Sequence, residues 1–295
     1  MELDPRRSLR ETFFAVVGRH DEPSVFLDAP GDPGLVGPGS VSWEVNGNLG
    51  AVSAAGSAAI VMELLHPAVM AGVHDHSNVR NDPLRRARTT MGYVLVTTFG
   101  TTAAATRTID AVKRVHGRIN GTQPDGRPYR ALDPELIAWV HTCIPWAILE
   151  AYSRYVRPLS TDEKDAYLLE QSVIGLRGGA DWVPTTYAEL LDYAEAMRPK
   201  LAVNDQLAGF VDFLTGRGEV GLRAHLDRLA SMQASMTLMP DWAARLAGLH
   251  ALDPVRRFWL EPNARLQVAL LNWAIGEPEC RRMAVERTAK VLATV

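Results

Sequence analysis

A histidine on the apolar face of a predicted helix is a candidate for chemistry in this sequence, including metal binding. Within residues 103–119, one set falls at positions i, i+4, i+7, i+11 and i+14: Ala105, Ile109, Val112, His116 and Ile119. That spacing places the set on one stripe of a helix. An imidazole that faces a core needs a partner, because an unpaired buried polar group costs about 1–3 kcal/mol. The partner could be a carbonyl, a carboxylate or a metal, and spacing alone makes an ordinary hydrogen-bonded core histidine the simpler interpretation.

An arginine-dense turn precedes this helix. Asp82 followed by proline is typical of the N-cap and first position of a helix. Arg85, Arg88 and Thr89 then follow at i, i+3 and i+4, so their side chains share one face. This face could be a solvated basic surface. It could also clamp a carboxylate, because the planar fork of arginine pairs bidentately with anionic oxygens.

A second histidine lies on an apolar stripe, in a long helix predicted for residues 134–157. The stripe consists of Ile137, His141, Ile144 and Ile148. Pro145 follows His141 by four positions and has no N–H, so a kink is expected there. A kink beside an inward histidine suggests a cavity, although crowding by the nearby tryptophans explains it equally well. Cys143 has no activating base close in sequence and is interpreted as a small core residue.

Three more histidines raise the alternative of a separate metal site. They are His66, His74 and His76, and Asp75 and Asp82 could add oxygen ligands. No H-E-x-x-H pair or comparable motif follows them. Capping and loop hydrogen bonds are therefore the competing interpretation of this segment.

The elements that must position these side chains are helices. Periodicity and capping signals predict helices over residues 2–17, 51–65, 134–157, 160–176, 204–232, 240–249, 263–275 and 278–293, and one that starts at Thr186. Residues 18–50 and 117–133 are rich in Gly, Pro and Asn and read as loops. Only YVLVTTF, at 93–99, is ambiguous between helix and strand. The glycines of 47–58 fit neither a P-loop nor a dinucleotide fingerprint, so they are assigned to close helix packing. We expect an all-α single domain of about ten helices.

Composition narrows the class of protein. The formal charge of −3 gives no general reason to expect nucleic acid or an anionic membrane as a partner. Two cysteines are too few for a disulfide framework and fit a reducing cytoplasm. The first residues lack the pattern of a signal peptide, and there is no apolar run of about 18 residues. We therefore expect a cytoplasmic protein without a membrane-spanning helix.

Several motifs, taken in order, resemble one enzyme family. They are HPAVMAGVHDHS, NDPLRRART, the FGT at 99–101, a helical His116, DGRPYRALDPELIAWVHT and PLSTDEKDAYLLE. Together they are similar to the MpaB-type oxygenase domain, a family that includes bacterial latex-clearing proteins and fungal enzymes that cleave prenyl chains. The resemblance covers residues 38–275, leaving 1–37 as an N-terminal helix and lead-in and 276–295 as a C-terminal helix. It implies an all-α, globin-like core that holds b-type haem through one axial histidine.

By position, the resemblance implies that His116 is the axial ligand of the haem iron. Arg85 and Thr89 match the arginine and threonine of the family's haem-pocket motif. Arg88 stands where the latex-clearing branch has a lysine, and arginine cannot coordinate iron because it is never deprotonated. The sixth iron position would then be open, bound by water or capped by His141.

The resemblance also implies a reaction. We expect haem b-dependent oxygenation, C=C cleavage or desaturation of a small hydrophobic or aromatic molecule, with dioxygen or peroxide as oxidant. Arg85, Arg88 and Thr89 would act in the distal pocket, by pairing with a propionate or with charge that develops during the reaction. Polyisoprene is not expected as the substrate, because nothing marks secretion. A non-catalytic haem-binding or sensing protein remains the other alternative, and the sequence allows but does not specify a homo-oligomer.

Overall fold

The structure, a computed structural model, describes residues 4–77, 82–216, 232–251 and 253–289. Its N-terminal half contains α1 Pro5–Val17, α2 Pro23–Phe26, α3 Val41–Asn46, α4 Leu49–Leu64, α5 Pro67–His76, α6 Pro83–Phe99 and α7 Thr102–His116. The remainder contains β1 Asn120–Thr122, β2 Pro128–Arg130, α8 Pro134–Tyr155, α9 Thr161–Gly178, α10 Tyr187–Met197, α11 Asp205–Thr215, α12 Asp241–Leu246, α13 Asp253–Val255, α14 Glu261–Ile275 and α15 Glu279–Ala289. A 3₁₀ turn, Arg198–Lys200, follows α10, and a π-helical turn, Arg256–Leu260, joins α13 to α14. The all-α prediction is confirmed.

The helix starts follow the capping signals in the sequence. Asp82 accepts a hydrogen bond from the Arg85 amide and Asp133 accepts one from the Glu135 amide, each ahead of a proline at the first helical position. Capping boxes open α9 at Ser160 and α10 at Thr186. The sequence therefore specifies where these helices begin.

Several elements differ from the sequence prediction. The ambiguous stretch 93–99 is helical and completes α6, and the short helices α2 and α3 interrupt the predicted lead-in loop. The predicted loop 117–133 contains an antiparallel hairpin in which Gly121 pairs with Tyr129. Helix α11 ends at Thr215, earlier than the helix predicted for 204–232. Residues 217–231 of that prediction, and positions 290–293 of the last predicted helix, lie outside the described residues.

The core is built around α4 and α8. Helix α4 carries glycines and alanines, which allow other helices to approach it closely. An added Cβ on Gly50 would lie 2.6 Å from the Asn272 side-chain oxygen, and the Gly50 amide donates a 3.0 Å hydrogen bond to that oxygen. This contact brings α14 against α4. Helix α8 contributes the buried indoles of Trp139 and Trp146, and one hydrophobic cluster runs from α1 to α15.

In the part of the chain that the structure describes, no single helix is long and apolar enough to cross a membrane. The pair α4 and α5 meets the length and composition requirement only when taken together, and the two helices bend by 108° at their break. Most of α4 is buried in the protein core.

A buried arginine holds the corner between α6 and α7. Arg287 of α15 is fully buried, and its Nη1 donates hydrogen bonds to the carbonyls of Phe26 (2.6 Å) and Phe99 (2.8 Å). Its Nε donates to the carbonyl of Asp32 at 2.8 Å. The Asp32 carboxylate in turn accepts hydrogen bonds from the amide and hydroxyl of Thr102, at the start of α7. The lead-in, the end of α6 and the start of α7 are thus joined at one point.

Replacing Arg287 should therefore be costly. Arg287→Met keeps an apolar stem but leaves three carbonyls without their donor, so we expect a loss of about 3 kcal/mol in the free energy of unfolding. Urea denaturation followed by circular dichroism measures the loss. Arg282→Met is the matched control, because the Arg282 side chain is 69% exposed, and it should change stability by less than about 0.5 kcal/mol. Equal stabilities for the two variants would contradict the role of Arg287.

Candidate functional site

His116 lies at the last position of α7. Its side chain is half-buried, on the face that carries the buried residues Ala105 and Ile109. Burial lowers the pKa of His116, and the positive charge of Arg86 lowers it further. The imidazole is therefore neutral at physiological pH, the form in which a ring nitrogen can bind a metal ion.

Hydrogen bonding distinguishes His116 from most of the other described histidines. Ring nitrogens are engaged in hydrogen bonds at five others, namely His20, His66, His74, His76 and His141. The rings of His116 and of the exposed His250 have no hydrogen-bond partner among the described residues. Of these two residues only His116 is half-buried on an apolar helix face, where its ring nitrogens are free of other hydrogen bonds.

Arg86 links this histidine to a buried acid. Its guanidinium is 31% exposed, and Nη2 lies 3.4 Å from Oε2 of Glu63 at the end of α4. The same cation acts on the pKa values of Glu63 and His116. Three helices, α4, α6 and α7, therefore contribute one ionisable side chain each to a connected electrostatic group, which we call the Glu63–Arg86–His116 cluster.

The pKa of the Glu63 carboxyl lies near neutral pH. Burial raises the pKa of its carboxyl to about 7, and the nearby Arg86 charge limits the rise. Such a group carries a proton for part of the time at physiological pH. Cys143 lies near it, and burial, together with the Glu63 charge, raises the pKa of the thiol well above its usual range. Cys143 is thus a thiol and not an activated thiolate, in line with its interpretation as a core residue.

Sequence reasoning did not select Glu63 or Arg86. Arg86 precedes Tyr93 by seven positions and Thr97 by eleven, so it shares their helix face. Thr97 is buried and Tyr93 half-buried. This spacing could have indicated from the sequence that Arg86 faces the interior. Glu63 lies within the apolar run AAIVMELL at 58–65. A single acid there is unusual, because acids are seldom fully buried unless they are paired.

The three polar residues selected from the sequence lie elsewhere on α6. Arg85, Arg88 and Thr89 are all exposed. Arg88 donates hydrogen bonds to the carbonyls of Val16 and Ala15 at the end of α1, and the Thr89 hydroxyl donates to the Arg85 carbonyl one turn earlier. The structure does not show these three side chains engaged with His116. Their catalytic assignment stays a prediction, while the arginine whose charge acts on His116 is the neighbouring Arg86.

The ring of His141, on α8, is held by a contact with α9. Its Nε2 donates a 2.9 Å hydrogen bond to the Gln171 carbonyl of α9. The ring occupies the space left by Gly175, where an added Cβ would lie 2.3 Å from its Cδ2. This packing between α8 and α9 accounts for the burial of His141 without a metal. Its assignment as a sixth iron ligand stays a prediction.

The histidine-rich segment does not assemble the alternative metal site. His66 caps α5 by accepting from the Ala68 amide, His74 pairs with Asp75, and His76 binds the Asn120 carbonyl. Within residues 4–77, 82–216, 232–251 and 253–289, no group of three His, Cys, Asp or Glu side chains is placed to hold a metal ion. Each imidazole has a separate local partner, so the described residues give the non-haem alternative based on this segment no support, and it stays a prediction.

Comparison with known proteins identifies a family for most of the chain. Residues 43–273 match the family described as ER-bound oxygenase mpaB/B′/rubber oxygenase, catalytic domain. The matched range contains every member of the Glu63–Arg86–His116 cluster.

Two curated mycobacterial relatives match a shorter part. The uncharacterized proteins Mb2261 of Mycobacterium bovis and Rv2237 of Mycobacterium tuberculosis are each 31% identical over 123 residues, which is 40% of this chain and 48% of the relative. The chain thus spans about half the length of the curated relatives it matches. No solved structure matches.

The placement of Arg86 beside His116 can be tested directly. Arg86→Gln removes the cation that lowers the pKa of His116, so that pKa should rise. Histidine ring resonances followed by NMR during a pH titration report it, with His116→Gln used to assign the signal. Arg85→Gln is the matched control, and it should leave the pKa of His116 unchanged. The reverse pattern would place Arg85, and not Arg86, at the site.

The buried carboxyl predicts a pH dependence of stability. Because the pKa of Glu63 is raised from 4.5 to about 7 in the folded protein, the folded state binds this proton more tightly than the unfolded state does. The stabilisation is complete below about pH 4.5 and is lost as the pH rises through 7, by roughly 3 kcal/mol in all.

Urea unfolding at pH 5 and at pH 8 measures this effect. Glu63→Gln should lose that part of the pH dependence, whereas Glu195→Gln, at a carboxylate that is 66% exposed, should keep it. Parallel pH profiles for wild type and Glu63→Gln would show that Glu63 is ionised throughout.

Proposed function

The chain belongs to the mpaB/B′/rubber oxygenase catalytic-domain family, and from that premise we propose that it is a haem b-dependent oxygenase in which His116 would hold the iron. The family supports an enzyme of the oxygenase kind. The haem, the ligand and the substrate are the parts that the proposal adds.

The donor chemistry at His116 suits a haem iron. Iron porphyrins are commonly held by one neutral imidazole, and His116 is neutral, half-buried and without a hydrogen-bond partner among the described residues. This last observation carries the proposal, because the other candidate, His141, has its Nε2 committed to α9. Arg86 adds a cation nearby, as suits a cofactor with carboxylate side groups. Haem, when bound, would supply activation of dioxygen or peroxide.

The protein's own part lies in the Glu63–Arg86–His116 cluster. His116 would hold the iron, and Arg86 would stabilise negative charge close to it. Glu63, with a pKa of about 7, would hold or accept a proton at its carboxyl oxygens near neutral pH. Arg85, Arg88 and Thr89 keep the roles implied by the family motif as part of this proposal.

The substrate we propose is a small hydrophobic or aromatic molecule. The side chains near Glu63 include the buried Trp139, whose indole nitrogen donates to the Glu63 carbonyl at 3.2 Å, and the neutral thiol of Cys143. Apolar surroundings of this kind favour an apolar ligand over a charged one. The reaction would be oxygenation, C=C cleavage or desaturation.

Haem uptake tests the proposal before any substrate is known. Wild-type protein titrated with haemin should bind about one equivalent and show a Soret band. His116→Ala should weaken haem binding by at least about tenfold. His74→Ala is the matched control, because His74 is exposed, and its spectrum should equal that of the wild type. A folded wild-type protein that takes up no haemin would refute the haem assignment, and an unchanged His116→Ala spectrum would refute His116 as the ligand.

Binding of cyanide separates an enzyme from a haem carrier. An oxygenase needs an accessible iron, so the haem-loaded protein should bind cyanide, with a shift of the Soret band. A spectrum that cyanide leaves unchanged would favour a non-catalytic haem-binding protein, whose iron is closed on both sides.

A further inference from the structure

Large apolar side chains are exposed along α13, the π-helical turn and α14. The most exposed are Phe258 and Trp259, at 71% and 69%. We call this set the apolar ridge: Val255, Phe258, Trp259, Leu266, Leu270 and Trp273. Single exposed apolar residues are ordinary on protein surfaces, but a continuous row that includes two tryptophans and a phenylalanine marks an interaction surface.

The ridge is the outward face of a helix whose inner face is already used. Leu266, Leu270 and Trp273 fall at i, i+4 and i+7, on one side of α14. Ala264 and Val268 are buried, and the Val268 carbonyl lies beside Gly50 of α4. An exposed row of large apolar side chains on a helix whose other face is already buried indicates an interaction surface. The outer face of α14 therefore needs a second apolar partner.

Arginines surround the ridge. Helix α1 packs along α14, and the guanidinium of Arg6 lies 5.9 Å from the ring centroid of Trp273. Residues 5–17 and 253–275 together carry six arginines against Glu11, Asp253 and Glu261, a formal charge of +3 in a chain whose formal charge is −3. Of these arginines, Arg256 is paired with Asp241 and Glu261. Arg257 and Arg265 are exposed and form no ion pair with the described residues. The local charge is therefore opposite in sign to that of the whole protein.

We propose that the apolar ridge and its arginines form a peripheral docking surface for an anionic lipid bilayer. Interfacial helices combine Trp, Phe and Leu on one face with Lys or Arg at the flanks, which is the arrangement seen here. The tryptophans and leucines would enter the boundary between headgroups and acyl chains, and the arginines would pair with lipid phosphates. Helix α14 has 15 residues, too few to span a bilayer, so it would lie in the plane of the surface. This inference does not rest on the proposed oxygenase reaction.

Binding to lipid vesicles tests the docking surface. Wild-type protein should co-sediment with vesicles of phosphatidylcholine and phosphatidylglycerol in equal parts, and much less with phosphatidylcholine alone. The double variant Trp259→Ala/Trp273→Ala should lose at least about tenfold in partitioning, because two indoles no longer enter the interface. Trp182→Ala is the matched control, since Trp182 is 46% exposed on another part of the protein, and its binding should equal that of the wild type.

Two further measurements test independently whether the arginines contribute to vesicle binding and how deeply the tryptophans enter the bilayer. Arg257→Gln/Arg265→Gln should weaken binding to the anionic vesicles, and high salt should weaken the binding of wild type in the same way. The tryptophan emission of wild type should shift to shorter wavelength on binding and be quenched by brominated acyl chains, and the double tryptophan variant should show a much smaller change.

Three outcomes would overturn the proposal. Wild type that does not bind anionic vesicles would do so, and so would equal binding by wild type and the double tryptophan variant. The third is a dimer seen by sedimentation velocity that the double variant abolishes, without vesicle binding, because the ridge would then be an interface between two copies of the chain.

Discussion

The position of the candidate site depends on the corner between α6 and α7. Arg287 donates to the carbonyl of Phe99 at the end of α6, and Asp32, whose carbonyl Arg287 also binds, receives hydrogen bonds from the start of α7. Arg86 and His116 lie on the two helices that meet there, one near the start of α6 and the other at the end of α7. The distance between Arg86 and His116 therefore depends on the angle between α6 and α7, and the hydrogen bonds at the corner hold that angle.

Electrostatics within the cluster explains how three ionisable groups can share a partly buried region. Burial by itself would favour neutral forms of both Glu63 and His116. The Arg86 cation opposes that tendency for the acid and reinforces it for the imidazole. The result is a carboxyl whose pKa lies near neutral pH and an imidazole that stays unprotonated, both acted on by the same arginine. A neutral imidazole and a transferable proton are what an oxygenase of the proposed type needs at its metal.

Local signals in the sequence predicted the helices well but not the side chains that meet. Aspartate–proline pairs and capping boxes fix helix starts through contacts within a few residues. The choice of Arg85 instead of Arg86 was a matter of helix phase, since one position rotates a side chain by about 100°. Residues 84–90 are nearly all exposed, so no apolar stripe in that turn determines the phase. The contact of His141 depends on Gly175, on another helix, and no local pattern contains it.

The apolar ridge shows a different limit of sequence reasoning. A net charge of −3 argued against an anionic membrane as partner, because an average over the chain hides how charges are distributed. The arginines of residues 5–17 and 253–275 come together only because α1 packs along α14, so their combined charge is a property of the fold. Docking at a bilayer would also suit the proposed substrate class. Apolar molecules concentrate in membranes, and an enzyme held at that surface would meet them at higher concentration than in water.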